Sequence, residues 1–160
     1  LMVSASITGM VISHFEEVLA ANVLLTAFIP MLMDSSGNAG SQSSSTVIRA
    51  LSLEEVDPSH TLGVLWKEFR IGIVCGLVMA IVNFLRLIIF TSTAAPIALA
   101  VSLTLIACIT IAKVIGGILP LLAVRISQDP AVMAGPLLTT IADTLTLILF
   151  FTICKAFLGI

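Results

Sequence analysis

The sequence predicts an all-α protein, a polytopic transmembrane helical bundle, and two observations support that prediction. First, 59% of the 160 residues are hydrophobic and 10% are charged, whereas soluble domains contain about 25% charged residues. Second, the hydrophobic residues are concentrated in long segments separated by short polar connections, and the mean hydropathy is +1.21. Because a spanning helix needs about 20 apolar residues, residues 1–160 are predicted to form a single membrane domain.

Five apolar segments are the predicted spans, and they lie at 1–13, 18–33, 71–90, 96–124 and 136–157. Positive charge predicts their orientation, because cytoplasmic loops carry an excess of Lys and Arg. Arg49, Lys67 and Arg70 flank the connection between the second and third segments, and Arg125 follows the fourth. These two connections are therefore predicted to be cytoplasmic, with the N-terminus inside and the C-terminus outside the cell membrane.

Charge and composition exclude several classes of function. The net charge is −2 and no run of basic residues occurs, so nucleic acid is not a predicted partner. The three cysteines, Cys75, Cys108 and Cys154, stand alone in apolar segments, which is typical of packing residues. His14 and His60 are far apart in the chain, so a transition-metal site of His and Cys is not predicted.

The longest polar stretch, 34–46, follows the second apolar segment, which contains Pro30. Its glycines, amides and hydroxyls cannot face lipid, because each unsatisfied polar group in the hydrocarbon costs several kcal/mol. We expect this stretch to break the second span, so that freed backbone groups line water and hold the hydration shell of an ion. The alternative is an ordinary Gly- and Ser-rich surface loop.

Asp143 lies inside the fifth apolar segment, with no Lys or Arg within one helical turn. An intramembrane carboxylate needs a partner or water, and a cation is its natural ligand. Thr139 and Thr140 would place hydroxyls one turn earlier on nearby faces. The alternative is that Asp143 pairs with Lys113 or Arg86 from another span. Magnesium suits the first interpretation, because Mg²⁺ keeps most of its waters and uses one or two carboxylates.

Three regions together carry a family resemblance: the acidic turn Glu16-Glu17, the stretch 34–49 and the stretch 129–143. In order and in character they resemble the signature regions of the membrane domain of the MgtE family of magnesium channels and transporters. The resemblance covers essentially the whole chain. It departs from the family pattern at Gly135, often an Asn in the family, and at the Ser36-Gly37 pair, often two glycines.

The resemblance implies a homodimer with five spans per subunit, whose pore lies at the subunit interface between the second and fifth spans. Asp143 of both subunits would hold a hydrated Mg²⁺ ion that is conducted into the cytoplasm. The residues implied to contact its water shell are Gly37, Asn38, Gly40, Thr139 and Thr140; further candidates, at the mouth of the pathway or at secondary positions, are Glu16, Glu17, Asp34 and Gly135. The family's cytoplasmic N-terminal domain and tandem CBS module are expected to be absent from this sequence.

Two other functions compete with this prediction. An ion-coupled secondary transporter of divalent cations such as Co²⁺ or Mn²⁺ would use a broken helix and a midplane carboxylate equally well. An intramembrane protease would need Asp34 and Asp143 to share a proton, and nothing in their spacing requires that. The prediction is therefore a transporter and not an enzyme.

Overall fold

The computed structural model describes the backbone of residues 2–159. It describes their side chains except those of residues 3, 4, 58, 133 and 134. All the regular secondary structure in that range is helical. The α-helices are α1 (Met2–His14), α2 (Glu16–Ala21), α3 (Ile29–Ser52), α4 (Thr61–Phe90), α5 (Ala95–Arg125), α6 (Pro130–Ala134) and α7 (Pro136–Leu158), and short 3₁₀ helices occur at Val23–Phe28 and Pro58–His60. Within the described residues, α4, α5 and α7 are long and apolar enough to cross a membrane.

Helix α5 is the centre of the bundle, and α3, α4 and α7 pack around it. Most of its side chains are buried, including Val101, Leu105 and Ala112. Helix α7 also packs on α3 and α1, and the ring of Phe15, between α1 and α2, stacks on that of Phe151 in α7 with centroids 5.0 Å apart. The third, fourth and fifth predicted spans are confirmed as helices α4, α5 and α7.

Small residues bring α4 close to α5. Gly72 and Gly76 are buried on the face of α4 that meets α5. A Cβ at Gly72 would lie 2.7 Å from Cα of Thr110, and one at Gly76 would lie 2.9 Å from Cα of Ile106. The opposite face of α4 exposes apolar side chains such as Val78, which suits contact with lipid.

The second predicted span is wrong in its boundaries. The apolar segment 18–33 is not one helix, because Asn22 has an extended backbone and residues 23–28 form a 3₁₀ turn. Pro30 lies in the first turn of α3, where its missing N–H and fixed φ do no harm. The helix in this part of the bundle is instead α3, which begins at Ile29 and carries the polar stretch.

The predicted break in the polar stretch 34–46 is also wrong, since α3 is a continuous α-helix of 24 residues. Its glycines serve helix packing: a Cβ at Gly40 would lie 3.1 Å from the carbonyl oxygen of Ala112, and a Cβ at Gly116 would collide with the backbone of Gly40. Ser36, Ser43 and Ser44 are buried on the same helix. Close contact with α5 and α7 therefore outweighs the weak helix propensity of Gly and Ser.

The connections between the helices lie at two ends of the bundle. At one end, the guanidinium of Arg125 donates a 2.9 Å hydrogen bond to the hydroxyl of Thr61, and Arg70 lies over the ring of Trp66, 5.8 Å from its centroid. At the other end, the 3₁₀ segment 23–28 and the α4–α5 turn line one cleft. The connections flanked by basic residues thus lie together, on one side of the apolar helices.

Candidate functional site: a polar groove between α3 and α7

Asp143 lies seven residues after the start of α7 at Pro136. Its side chain is half-buried, and no hydrogen bond or ion pair joins its carboxyl group to a described residue. Arg86 lies elsewhere, with one guanidinium nitrogen 2.9 Å from Oδ1 of Asn83 and 3.6 Å from Sδ of Met31. The structure thus pairs Asp143 with neither Arg86 nor Lys113.

A groove of about 290 Å³ separates Asp143 from the polar face of α3. The side chains and backbone that line it are those of Met33, Asp34, Gly37, Asn38, Ser41, Thr139 and Asp143. Residues 34, 37, 38 and 41 recur at helical spacing, so the continuous helix places them on one face of α3. One chain therefore brings two carboxyl groups, an amide and two hydroxyls to the same groove.

The groove holds five of the predicted site residues: Gly37, Asn38, Thr139, Asp143 and, from the secondary set, Asp34. The hydroxyl of Thr139 donates to the carbonyl of Pro136 at 3.2 Å. That bond leaves the lone pairs of the Thr139 oxygen available to hydrogens of water.

The other predicted residues lie outside the lining. Gly40 is buried against Ala112 and Leu138, facing away from the groove. The hydroxyl of Thr140 donates to the carbonyl of Pro136 at 2.8 Å, and Gly135 joins α6 to α7. Exposed Glu16 and Glu17 begin α2 and are not part of the groove.

Sequence reasoning missed Ser41 and the buried polar contact behind the groove. Ser41 follows Asn38 by three residues and Asp34 by seven, a spacing that would have identified it had α3 been recognised as unbroken. Behind α3, the hydroxyl of Ser43 lies 2.7 Å from Oε2 of Glu68 and 2.8 Å from the carbonyl oxygen of Lys113. No sequence pattern indicated that Glu68 and Lys113 would both be buried.

The oxygen atoms that line the groove suit a cation that keeps its water shell. Among the described residues, no group of three or more His, Cys, Asp or Glu side chains could hold a metal directly. Two carboxyl groups with neighbouring amide and hydroxyl oxygens can instead accept hydrogen bonds from the waters of a hydrated cation.

The polar face of α3 continues beyond the groove. Asn38, Ser41, Gln42, Ser45 and Arg49 are all exposed in the single chain. Polar groups at this density are not compatible with lipid contact. This face is therefore expected to meet water or another protein surface.

The fold and the groove define a class: a polytopic helical membrane protein with a carboxylate-bearing polar groove beside its central helix. The family profile described as a divalent cation transporter, MgtE, matches residues 29–153 of the chain. The chain belongs to the MgtE family.

Three relatives are similar over nearly the whole chain. The magnesium transporter MgtE of Bacillus subtilis is 36% identical over 156 residues, which cover 95% of this chain and 34% of the relative. The magnesium transporter MgtE of Thermus thermophilus is 30% identical over 159 residues, 99% of this chain and 35% of the relative. The magnesium transporter MgtE of Enterococcus faecalis is 26% identical over 151 residues, which cover 94% of this chain and 33% of the relative. The chain spans about a third of the length of these relatives.

Proposed function

We propose that residues 1–160 form the cation-conducting membrane domain of a magnesium transporter, which passes hydrated Mg²⁺ into the cytoplasm. The observation that carries the proposal is the groove between α3 and α7, where Asp143 meets no cationic side chain of the described residues. The family membership, and the fact that the three relatives are magnesium transporters, support magnesium as the ion.

In this proposal, the ion crosses the groove with its inner water shell intact. Mg²⁺ loses water reluctantly and is commonly held by one or two carboxylates plus water. Asp143 supplies the dominant charge, and Asp34 supplies a second carboxyl group on the facing helix. Asn38, Thr139 and the backbone at Gly37 accept hydrogens from the water shell.

The proposed assembly is a homodimer in which two grooves meet about a two-fold axis. Such an axis places Asp143 of both subunits on one pathway, and two facing carboxylates suit a divalent ion. Helices α3 and α7 line the pathway, and α3 joins α4, α5 and α7 in crossing the membrane. The end that carries Arg70 and Arg125 faces the cytoplasm, because basic residues are retained on that side.

The test is Mg²⁺ uptake into liposomes containing the wild-type protein or Asp143→Asn. This substitution keeps the size of the side chain but removes its charge. We expect uptake to fall about tenfold or more, since losing about 1.4 kcal/mol of ion stabilisation is a tenfold effect. Glu55→Gln removes a carboxylate from an exposed turn outside the groove, so it is the matched control and should retain full uptake.

Two outcomes would contradict parts of the proposal. Undiminished uptake by a folded Asp143→Asn variant would remove Asp143 from the pathway. Uptake that requires a proton or sodium gradient would favour an ion-coupled transporter over a channel. Competition by Co²⁺ or Mn²⁺ in the same assay would measure selectivity among divalent cations.

A further inference from the structure

A second cavity, about 690 Å³ in volume, lies at the end of the bundle opposite Arg125. Helices α3 and α4 both pack mainly on α5, they meet each other through a few side chains such as Ser43 and Glu68, and the cavity opens between them. Its walls are mostly apolar, with Leu24, Phe28, Met31, Leu87 and Ile97 among the lining residues. It is separate from the proposed ion pathway, with which it shares no lining residue.

Among the described residues that line this cleft, Arg86 is the one cation and none is acidic. It lies one turn before Phe90, the last residue of α4. A guanidinium carries five N–H donors, yet its contacts with described residues are the 2.9 Å hydrogen bond to Asn83 and a 3.6 Å contact with the sulfur of Met31, both from Nη2. The other two guanidinium nitrogens therefore have no protein acceptor among the described residues.

An arginine near a membrane surface with unpaired N–H groups is stabilised by an anionic partner. A charged side chain in a span is costly unless it is paired or reaches the headgroup region. The cleft also contains Ser92, which is exposed in the α4–α5 turn and whose hydroxyl makes no hydrogen bond with a described residue. A phosphate oxygen pair fits the fork of a guanidinium in two parallel hydrogen bonds, and a neighbouring hydroxyl can donate a third.

The walls of the cleft indicate which phosphate it binds. Free phosphate would gain nothing from the apolar side chains that make up most of the lining, whereas the glycerol and acyl chains of a lipid would bury against them. The exposed apolar face of α4, including Leu85 and Ile89, lies next to Arg86 on the same helix. A lipid could therefore reach the cleft from the membrane without leaving it.

We propose that this cleft binds one anionic phospholipid, with its phosphodiester on the guanidinium of Arg86 and its acyl chain along the apolar wall. The lipid is anionic rather than zwitterionic because none of the described residues that line the cleft offers a carboxyl group to a headgroup amine. The lipid fills the space between α3 and α4 and thereby supports the end of α3 at which the ion pathway begins. This inference does not depend on the identity of the transported ion.

The test is lipid retention by the detergent-purified protein, measured by native mass spectrometry after incubation with phosphatidylglycerol or phosphatidylcholine. We expect one tightly retained phosphatidylglycerol on the wild type. Arg86→Gln should weaken its binding about fivefold or more, as expected for one basic residue at a membrane surface. Ala27→Phe, at an exposed small residue of the lining, should displace the lipid while leaving Arg86 in place.

Arg70→Gln is the matched control, because Arg70 is also an exposed cation of α4 but lies near its opposite end, against Trp66. It should retain the lipid. Equal retention by wild type and Arg86→Gln, or by wild type and Ala27→Phe, would overturn the proposal. So would equal retention of phosphatidylcholine, or release of the lipid from the wild type by millimolar inorganic phosphate.

Discussion

At the scale of single residues, the chain buries two charged residues where α3, α4 and α5 meet. Glu68 is 3% exposed and Lys113 is 7% exposed, and the Ser43 hydroxyl behind the groove contacts the carboxylate of Glu68 and the backbone carbonyl of Lys113. The Ser43 hydroxyl has a single hydrogen and two acceptors in reach. This contact ties α3 to both α4 and α5 close to the groove.

The Ser43 hydroxyl gives a testable stability effect. Ser43→Ala removes the hydrogen-bond partner of a buried carboxyl group, so we expect the free energy of unfolding to fall by about 1–3 kcal/mol. Denaturant unfolding of the detergent-solubilised protein measures this change. Ser52→Ala, in the exposed last turn of the same helix, should change stability by less than about 0.5 kcal/mol. Equal effects of the two substitutions would show that the buried contact contributes nothing.

At the scale of helices, hydropathy predicted α4, α5 and α7 because their apolar runs are long and uninterrupted. It failed at α3, where glycines and serines were interpreted as a break. Gly costs a helix about 1 kcal/mol relative to Ala, which packing contacts of the Gly40–Gly116 kind outweigh. No property of residues 34–46 alone reveals that α5 lies against them, because that information is in the tertiary contacts.

The sequence predicted the individual residues of the candidate site better than it predicted how they come together. Asp143 was identified from its apolar surroundings, and Asn38 and Gly37 from the resemblance. Their placement in one groove required α3 to be continuous. Ser41 was missed because a broken helix has no regular face on which to count residues.

Helix α4 offers a direct test of small-residue packing. Gly72→Ala places a methyl group 2.7 Å from the backbone of Thr110, which cannot move aside as a flexible side chain could. We therefore expect α4 and α5 to separate slightly, at a cost of about 1–3 kcal/mol in unfolding free energy. Thermal unfolding of the detergent-solubilised protein measures this loss of stability.

Gly63→Ala is the control for that substitution, because it lies on the same helix with nothing within 4 Å of the added methyl group. Alanine has the higher helix propensity, so Gly63→Ala should leave stability unchanged or raise it by up to about 1 kcal/mol. A destabilisation of similar size at both glycines would mean that the close approach of α4 and α5 is unimportant.

At the scale of the whole molecule, the two sides of the bundle require different surroundings. The outer face of α4 presents apolar side chains such as Val78 and Val82, which suit lipid. The exposed face of α3 presents Asn38, Gln42 and Ser45, which do not. A second copy related by a two-fold axis would cover the polar face and leave the apolar face in the membrane.

Cross-linking between single introduced cysteines tests that arrangement. Asn38→Cys places a thiol in the groove, and Val78→Cys places one on the apolar face of α4; both side chains are exposed in the single chain. In a background with Cys75→Ser, we expect a short bifunctional thiol reagent to join two copies through position 38 and not through position 78. The remaining cysteines, Cys108 and Cys154, are buried. Mg²⁺ should slow the reaction at position 38, because a hydrated ion would occupy the space between the two thiols. Dimers formed through position 78 alone would instead place α4 at the subunit interface and the groove of α3 and α7 away from it.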